Sequence, residues 1–189
     1  MNKNSEIKDA ASVILIRNRK SNPSVLMGQR SKNASFMPNK FVFPGGAVDE
    51  NDFLVKSFKQ LNGNCTARMT YKCNKDLVFA LSVAAIRELF EETGIIVGCK
   101  KKWTGVIPPE WKPVANLGLV PDASKFKFVF RAITPPGRPR RFDARFLYLD
   151  ADTLSEEINL DDFSGASNEL SHLQWIPIQE VRKFDLPFI

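Results

Sequence analysis

Residues 87–95 of the chain read Arg-Glu-Leu-Phe-Glu-Glu-Thr-Gly-Ile, and this stretch restricts the possible folds more than any other. Glu88, Glu91 and Glu92 are spaced at i, i+3 and i+4, which places them on one helix face within roughly 100°. Like charges at this spacing repel one another by about 0.2–0.5 kcal/mol per pair, and a cation between them offsets the repulsion. The stretch therefore predicts a helix that binds a hard divalent cation such as Mg²⁺, with a solvated acidic surface as the simpler alternative.

The opposite side of this helix is apolar and is expected to be buried. Its members fall within an arc of about 120° and are Phe79, Val83, Ile86, Leu89 and Phe90. Asn74 is the predicted N-cap, and Gly94 is the predicted C′ residue, where a positive φ is needed. The small residues Ala84 and Ala85 lie on the carboxylate side and are expected to leave room for a ligand.

The composition is that of a globular protein with affinity for anions. The chain has 189 residues, of which 43% are hydrophobic, and this is enough for one domain with a core. The formal net charge of +6 favours anionic partners, and a phosphate-rich small molecule satisfies it as well as nucleic acid does. Because no long basic tail is present, we expect a small-molecule partner and not nucleic acid.

The cysteine and histidine content argues against a zinc site. Cys65, Cys73 and Cys99 form no Cys-x-x-Cys pair, and the single histidine, His172, is distant in sequence. The odd cysteine count favours reduced thiols. The first apolar run, residues 10–16, is too short for a signal peptide core or a membrane span. We therefore expect a cytoplasmic protein with no membrane partner.

Strand-like patterns recur along the chain. They occupy residues 11–17, 24–30, 41–43, 125–133 and 145–149, with a strand starting at 95–98 and a short strand at the end of 168–176. Within 125–133 the phenylalanines at 126, 128 and 130 alternate with the other residues, which predicts one buried face. The first two are expected to form a hairpin, and a final helix is predicted at residues 178–184. Strands interspersed with two helices predict a mixed α/β layer architecture.

Two long segments are predicted to be irregular, apart from one short helix. Residues 49–76 form an insertion between a glycine turn and the main helix, and a short helix is expected at 53–61. Residues 103–119 are broken by prolines, with Trp111 as a core or pocket aromatic. A loop as long as the insertion is usually functional or mobile.

The turn at Pro44-Gly45-Gly46 allows the backbone to approach a ligand closely, so its carbonyls can bind a metal. Arg30 ends the second predicted strand and can face an anionic ligand, although a surface role is an equal alternative.

Taken together, Gly46 and residues 87–95 resemble the Nudix box of the Nudix hydrolases. The second half of the box, Arg-Glu-apolar-x-Glu-Glu-x-Gly-apolar, is matched at every position. The first half departs from the pattern, because the family places a glutamate eight residues before the arginine and this chain has Phe79 there. The resemblance implies an α/β fold, namely the Nudix α/β/α sandwich with a mixed β-sheet between helices, as a single domain over residues 1–189.

Two further stretches resemble one branch of this family. Residues 43–53 and 134–146 are similar to the peroxisomal-type acyl-CoA diphosphatases and their bacterial relatives, which also carry an insertion inside the box. This branch implies hydrolysis of a diphosphate bond in CoA or acyl-CoA. Alternatives are another nucleotide derivative (ADP-ribose, NADH, an oxidised dNTP or an RNA cap) and a non-catalytic Nudix-fold sensor of nucleotides or CoA.

The resemblance also assigns roles to individual residues. It implies that Mg²⁺ or Mn²⁺ binds to the Gly45 carbonyl and to glutamates, with Arg87 orienting the latter. The implied metal-binding glutamates are Glu88, Glu91, Glu92 and Glu169. Glu88, Arg87 and Glu92 are the implied catalytic residues, and Glu169 has a surface role as its alternative.

The cationic loop at residues 134–142 is a candidate substrate-binding segment. Arg138, Arg140 and Arg141 can clamp phosphates, because the guanidinium fork suits phosphate oxygens, and a solvated charge run is an equal alternative. The apolar end at residues 186–189 is expected either to tuck into the domain or to contact a second copy in a homodimer.

Overall fold

The computed structural model of the chain describes residues 6–34, 37–56, 58–155 and 158–187. Of the apolar end, residues 188 and 189 therefore lie outside the described part. The strands run in chain order as β1 Ile7–Arg17, β2 Ser24–Arg30, β3 Phe41–Val42, β4 Gly45–Ala47, β5 Gly98–Lys100, β6 Leu119–Pro121, β7 Lys127–Ile133, β8 Arg141–Asp150 and β9 Leu170–Pro177.

Three α-helices and four 3₁₀ segments accompany these strands within the described residues. The helices are α1 Gly63–Met69, α2 Lys75–Thr93 and α3 Lys112–Asn116. The 3₁₀ segments are Glu50–Phe53, Pro109–Trp111, Ala151–Thr153 and Ile178–Lys183. No helix of the described residues combines the length and the apolar character that a bilayer span requires.

The main sheet is mixed, as predicted. Its strand order is β3-β2-β1-β8-β7, while β4 pairs with β1 and β9 pairs with β2. Strands β1 and β8 are parallel, and the remaining pairs in this sheet are antiparallel. The predicted hairpin of β1 and β2 is confirmed by the Ile16 and Val25 register pair. Strands β5 and β6 form a separate small sheet.

Helix α2 begins and ends where the sequence predicts. The Asn74 side chain accepts a hydrogen bond from the Leu77 N–H at 2.8 Å, and Gly94 has φ 77°. The buried surface of α2 extends beyond the predicted apolar arc, because Ala84 and Ala85 are also fully buried in the core. Their small size therefore serves close packing, and the prediction that they leave room for a ligand is wrong.

The two faces of the sheet are covered differently. The inner face, which carries Val13, Leu15 and Leu147, shares one core with α2. On the outer face, a smaller cluster lies under Phe184 and Leu186 near the 3₁₀ segment. The segment predicted as a final helix at 178–184 is thus a 3₁₀ helix, preceded by Pro177.

The insertion is folded differently from the prediction. The structure has no α-helix over the described part of 53–61, and instead has the 3₁₀ segment Glu50–Phe53 followed by α1. Helix α1 begins after Asn62 because the Asn62 side chain accepts a hydrogen bond from the Cys65 N–H at 3.0 Å. The N-cap at Asn62 therefore determines where the helix begins, and the apolar residues of 53–61, which suggested a helix there, do not.

Two strand boundaries and the regularity of one strand also differ from the sequence prediction. Strand β1 begins at Ile7, where pairing with β8 extends it. The strand after α2 occupies Gly98–Lys100 and not the residues just after Gly94. In β7 a register shift between Phe128 and Phe130 interrupts the predicted alternation, and it leaves Val129 and Phe130 both 44% exposed. Trp111 is 1% exposed, which confirms it as a core residue.

Replacing Asn74 by alanine should lower the free energy of unfolding by about 1 kcal/mol, because the first turn of α2 loses its side-chain acceptor. Asn74→Ser retains an acceptor and should stay close to the parent protein. Urea denaturation monitored by circular dichroism measures both variants. Equal stability of the alanine and serine variants would contradict the capping role.

Candidate active site

Arg87 is the centre of a buried ion-pair network. Its Nε donates to Asp52 Oδ1 at 2.9 Å, and its Nη2 donates to Asp52 Oδ2 at 3.0 Å. Nη1 donates to Glu88 Oε1 at 2.9 Å and to Glu91 Oε2 at 3.1 Å. The remaining Nη2 donor binds the Ala47 carbonyl at 3.0 Å. The guanidinium thus fixes the glutamates of α2 relative to strand β4.

The two glycines of the corner make this close approach possible. The Gly45 N–H donates to Glu92 Oε2 at 2.7 Å. A Cβ on Gly46 would overlap the Glu88 carboxylate, and Gly45 has φ 152°, a conformation that side chains rarely adopt. Glu88 and Glu92 therefore lie directly against the backbone of β4, as the sequence prediction of a close approach requires.

Burial changes the acidity of these glutamates. Desolvation raises the pKa of Glu88 to about 7, although the charge of Arg87 opposes the shift. Desolvation also raises the pKa of Glu92 to about 8, opposed by the hydrogen bond from Gly45. The negative charge of Glu169 raises both pKa values further. Such raised pKa values cluster at functional sites, and a nearby cation would reverse them.

The donor set fits a hard divalent cation in its chemistry. Carboxylate and backbone carbonyl oxygens are the ligands that Mg²⁺ and Mn²⁺ prefer, and Gly45, Glu88 and Glu92 supply them within one corner. Within the described residues, no three acidic, histidine or cysteine side chains already converge on a common point. Glu88 and Glu91 each bond to Arg87 through one carboxylate oxygen, Oε1 and Oε2 respectively.

Two predicted residues from distant parts of the sequence lie beside this corner. The Ser167 N–H donates to the Glu91 carbonyl at 2.7 Å, which holds the segment before β9 against α2. Glu169 then forms an ion pair with Arg30 at 3.6 Å. Both residues act electrostatically on Glu92, Glu169 raising its pKa and Arg30 lowering it. The structure thus places Glu169 and Arg30 together near the glutamates.

The cationic loop lies farther away. Arg138 and Arg140 lie in the turn between β7 and β8, and Arg141 begins β8 with its Nε bonded to the Thr134 carbonyl at 3.1 Å. Arg141 pairs with Ile7 of β1, whereas Gly45 pairs with Ser12, five residues along the same strand. Arg141 also lies two strands away from β4, so at about 3.3 Å per residue and 4.8 Å per strand the loop begins roughly 19 Å from the corner.

Asp52 is the site residue that the sequence analysis missed. Its side chain is fully buried and forms the two-pronged bond to Arg87. The box lacks a carboxylate at Phe79, whose ring instead packs edge-on against Phe58 at 5.0 Å. Phe79 lies eight positions before Arg87, where the family pattern places a glutamate, whereas Asp52 lies within the insertion, 35 positions before Arg87. The spacing within the box does not reach Asp52, so the folded chain was needed to show this contact.

Asp52→Asn should lower the free energy of unfolding by about 3–5 kcal/mol, because it leaves the buried Arg87 without its charged partner. Asp49→Asn is the matched control, since Asp49 is 3.6 Å from Arg87 but its side chain is 66% exposed. That variant should lose less than about 1 kcal/mol. Urea denaturation measures the free energy of unfolding of both variants. An equal loss of stability in the two would contradict a special role for Asp52.

The raised pKa of Glu92 predicts a pH dependence of stability for the metal-free protein. The folded state binds the proton more tightly than the unfolded chain, so this stabilisation is complete below the ordinary value of 4.5. It is lost as the pH rises towards about 8. Thermal denaturation with EDTA should therefore show a melting temperature that falls across this window.

Glu92→Gln removes the titrating group and should flatten this fall. Glu180→Gln, at an exposed pair with Lys183, should leave the fall unchanged. A Glu92→Gln protein with the same pH dependence as the parent would show that other groups cause it.

Comparisons with known proteins agree with the geometry. No family model matches the chain. A protein of Caenorhabditis elegans provisionally named nudix hydrolase 7 is 32% identical over 187 residues, which is 92% of this chain and 52% of the relative. An acyl-coenzyme A diphosphatase of Xenopus laevis is 36% identical over 126 residues, 55% of this chain and 31% of the relative. The chain thus spans about half or less of these curated relatives.

A solved structure extends the agreement to the whole described fold. The crystal structure of a Nudix hydrolase from Alicyclobacillus acidocaldarius superimposes with a TM-score of 0.68 and 25% sequence identity, covering 98% of this chain and 87% of that one. The mixed sheet, the glycine corner and the glutamates of α2 are the features that the sequence resemblance predicts. The chain therefore shares the sequence pattern and the fold of the Nudix hydrolases, and over 126 residues it is similar to an acyl-coenzyme A diphosphatase.

Proposed function

We propose that the chain hydrolyses the diphosphate bond of a nucleoside-diphosphate-linked compound in a reaction that requires Mg²⁺ or Mn²⁺. The observation that carries this proposal is the pair of buried glutamates, Glu88 and Glu92, against the backbone of Gly45 and Gly46. Arg87 compensates Glu88, whereas the buried Glu92 bonds to the Gly45 N–H, and a buried carboxylate is costly unless a cation compensates it. A cation held there would also attract the phosphates of a substrate.

The proposed metal-binding groups are the Gly45 carbonyl and the glutamates of the corner. The latter are Glu88, Glu91, Glu92 and Glu169. When bound, the metal supplies Lewis acidity, which polarises a phosphoryl oxygen and lowers the pKa of a water. Arg87 positions Glu88 and Glu91 through bonds of 2.9 and 3.1 Å, and the Gly45 N–H positions Glu92.

Glu88 is the proposed general base. Burial raises the pKa of Glu88 to about 7 in the metal-free protein, and a bound cation would lower this pKa, so the carboxylate would be ionised and able to accept a proton near neutral pH. Its carboxylate lies against Gly46 and is oriented by Arg87 Nη1. It can therefore take a proton from a water at the corner during attack on phosphorus.

CoA or acyl-CoA is the proposed substrate. The similarity to an acyl-coenzyme A diphosphatase supports this class. CoA carries a further phosphate outside its diphosphate, and the turn with Arg138, Arg140 and Arg141, which begins roughly 19 Å from the corner, is proposed to bind it. Arg30, beside Glu169, is proposed to contact the diphosphate.

The alternative of a non-catalytic sensor is motivated by Phe79, which replaces a glutamate, and by the insertion that splits the box. Because Asp52 of the insertion supplies Arg87 with a buried carboxylate, Phe79 no longer favours a sensor. The proposal of an active enzyme is therefore consistent with an Arg87 that is held by Asp52 and that positions Glu88 and Glu91.

The experiment is a substrate panel read by phosphate or nucleotide release. It contains acyl-CoA, CoA, ADP-ribose, NADH, a dinucleoside polyphosphate and an oxidised dNTP, each with Mg²⁺ or Mn²⁺. We expect turnover of CoA or acyl-CoA and its loss with EDTA. No turnover of any compound would end the enzyme proposal, and turnover of a nucleotide but not of CoA would replace the substrate class.

In the same assay, Glu92→Gln should lower kcat about a hundredfold or more, because it removes a charged metal ligand. Glu180→Gln, at an exposed carboxylate, is the matched control and should retain parental turnover. A Glu92→Gln protein as active as the control would contradict the assignment of Glu92.

A further inference from the structure

Part of the outer face of the main sheet is uncovered. Near β2 and β9, Val25, Met27 and Ile176 lie under the C-terminal segment. Toward β7 and β8, the described residues leave the outer face partly exposed, most of all at Phe130, which is 44% exposed. We call the residues of this region the open face, and they are Ser12, Phe130, Ala132, Ala144 and Phe146.

The open face continues directly from the candidate active site. Ser12 of β1 pairs with Gly45 on one side and with Phe146 on the other. Phe146 in turn pairs with Phe130 of β7. With strands about 4.8 Å apart, Phe146 lies roughly 10 Å and Phe130 roughly 14 Å from Gly45. The row thus begins at a proposed metal ligand and ends at an aromatic pair.

The aromatic rings of this row are already arranged for stacking. Phe130 lies flat on Phe146, with centroids 4.2 Å apart and an interplanar angle of 9°. Phe43, just before the glycine corner, packs edge-on against Phe146 at 6.3 Å. Phe146 is held on both sides and is 7% exposed, whereas Phe130 offers ring surface to a ligand.

Distance distinguishes between the parts of a substrate that this surface can bind. In a nucleotide, only one ribose separates the base from the phosphates, so the base can lie on the sheet face beside the corner that holds the phosphates. The acyl chain of an acyl-CoA begins only beyond the whole pantetheine arm. Base stacking on an aromatic ring also needs no polar groups around it, and this suits a face lined by phenylalanine and alanine.

We propose that Phe130, backed by Phe146, is the platform on which the planar base of the substrate's nucleotide moiety stacks. The proposal rests on the proposed function, because that function places the diphosphate at Gly45. It assigns to the edge of the sheet the recognition of a nucleoside, whereas the glycine corner binds only phosphates and metal.

The test compares two ligands that differ in the base. Calorimetry with Mg²⁺ measures the Kd of ADP, which has a base and a diphosphate, and that of inorganic pyrophosphate, which has no base. Phe130→Leu keeps an apolar side chain and should weaken ADP binding about tenfold, while pyrophosphate stays within about twofold. Phe130→Trp should retain ADP binding. Val129→Ala, at an equally exposed neighbour, should change neither Kd.

Several results would overturn the proposal. They are an unchanged ADP affinity in Phe130→Leu, an equal loss for both ligands, and a parent protein that binds neither. A change from dimer to monomer in Phe130→Leu, seen by sedimentation with ADP affinity intact, would show that a second copy covers this face. Absence of hydrolysis would end the proposed function but would leave the two Kd values and their difference measurable.

Discussion

The ion-pair network of Arg87 is the interaction on which the site depends. Five hydrogen bonds from one guanidinium join the buried Asp52, two glutamates of α2 and the backbone of β4. A buried arginine is costly without such partners, and here every N–H of the fork has an acceptor. The same side chain therefore holds the sheet, the helix and the insertion in one arrangement.

The parts of the fold that follow from local sequence were predictable. Helix α2 and its caps at Asn74 and Gly94 depend on neighbouring residues, and the structure confirms them. The fully buried Ala84 and Ala85 and the irregular β7 depend on which distant elements pack nearby, so periodicity alone did not find them. The helix in the insertion was misplaced because a single cap at Asn62 outweighs a short apolar run.

The candidate site shows the same division between local and distant information. Glu88, Glu91 and Glu92 share a helix face, and helical spacing predicts this. The resemblance to the family pointed to Glu169, and β9 brings it next to Arg30 through strand pairing that no spacing rule contains. Asp52 was missed because it lies 35 positions before Arg87 in the sequence, and only the folded chain shows their contact. The arginines of the turn between β7 and β8 are visible in the sequence, but their distance from the glycine corner depends on how β4 and β8 pair with β1.

The insertion can change in length without altering the Arg87 network or helix α2. Asp52 fixes the chain at one end of this segment, and the Asn74 cap fixes it at the other, so both attachment points are rigid. The entropic cost of a loop grows only slowly with its length. Between the two anchors, the intervening chain can be lengthened, shortened or replaced while the glycine corner and the glutamates of α2 keep their geometry.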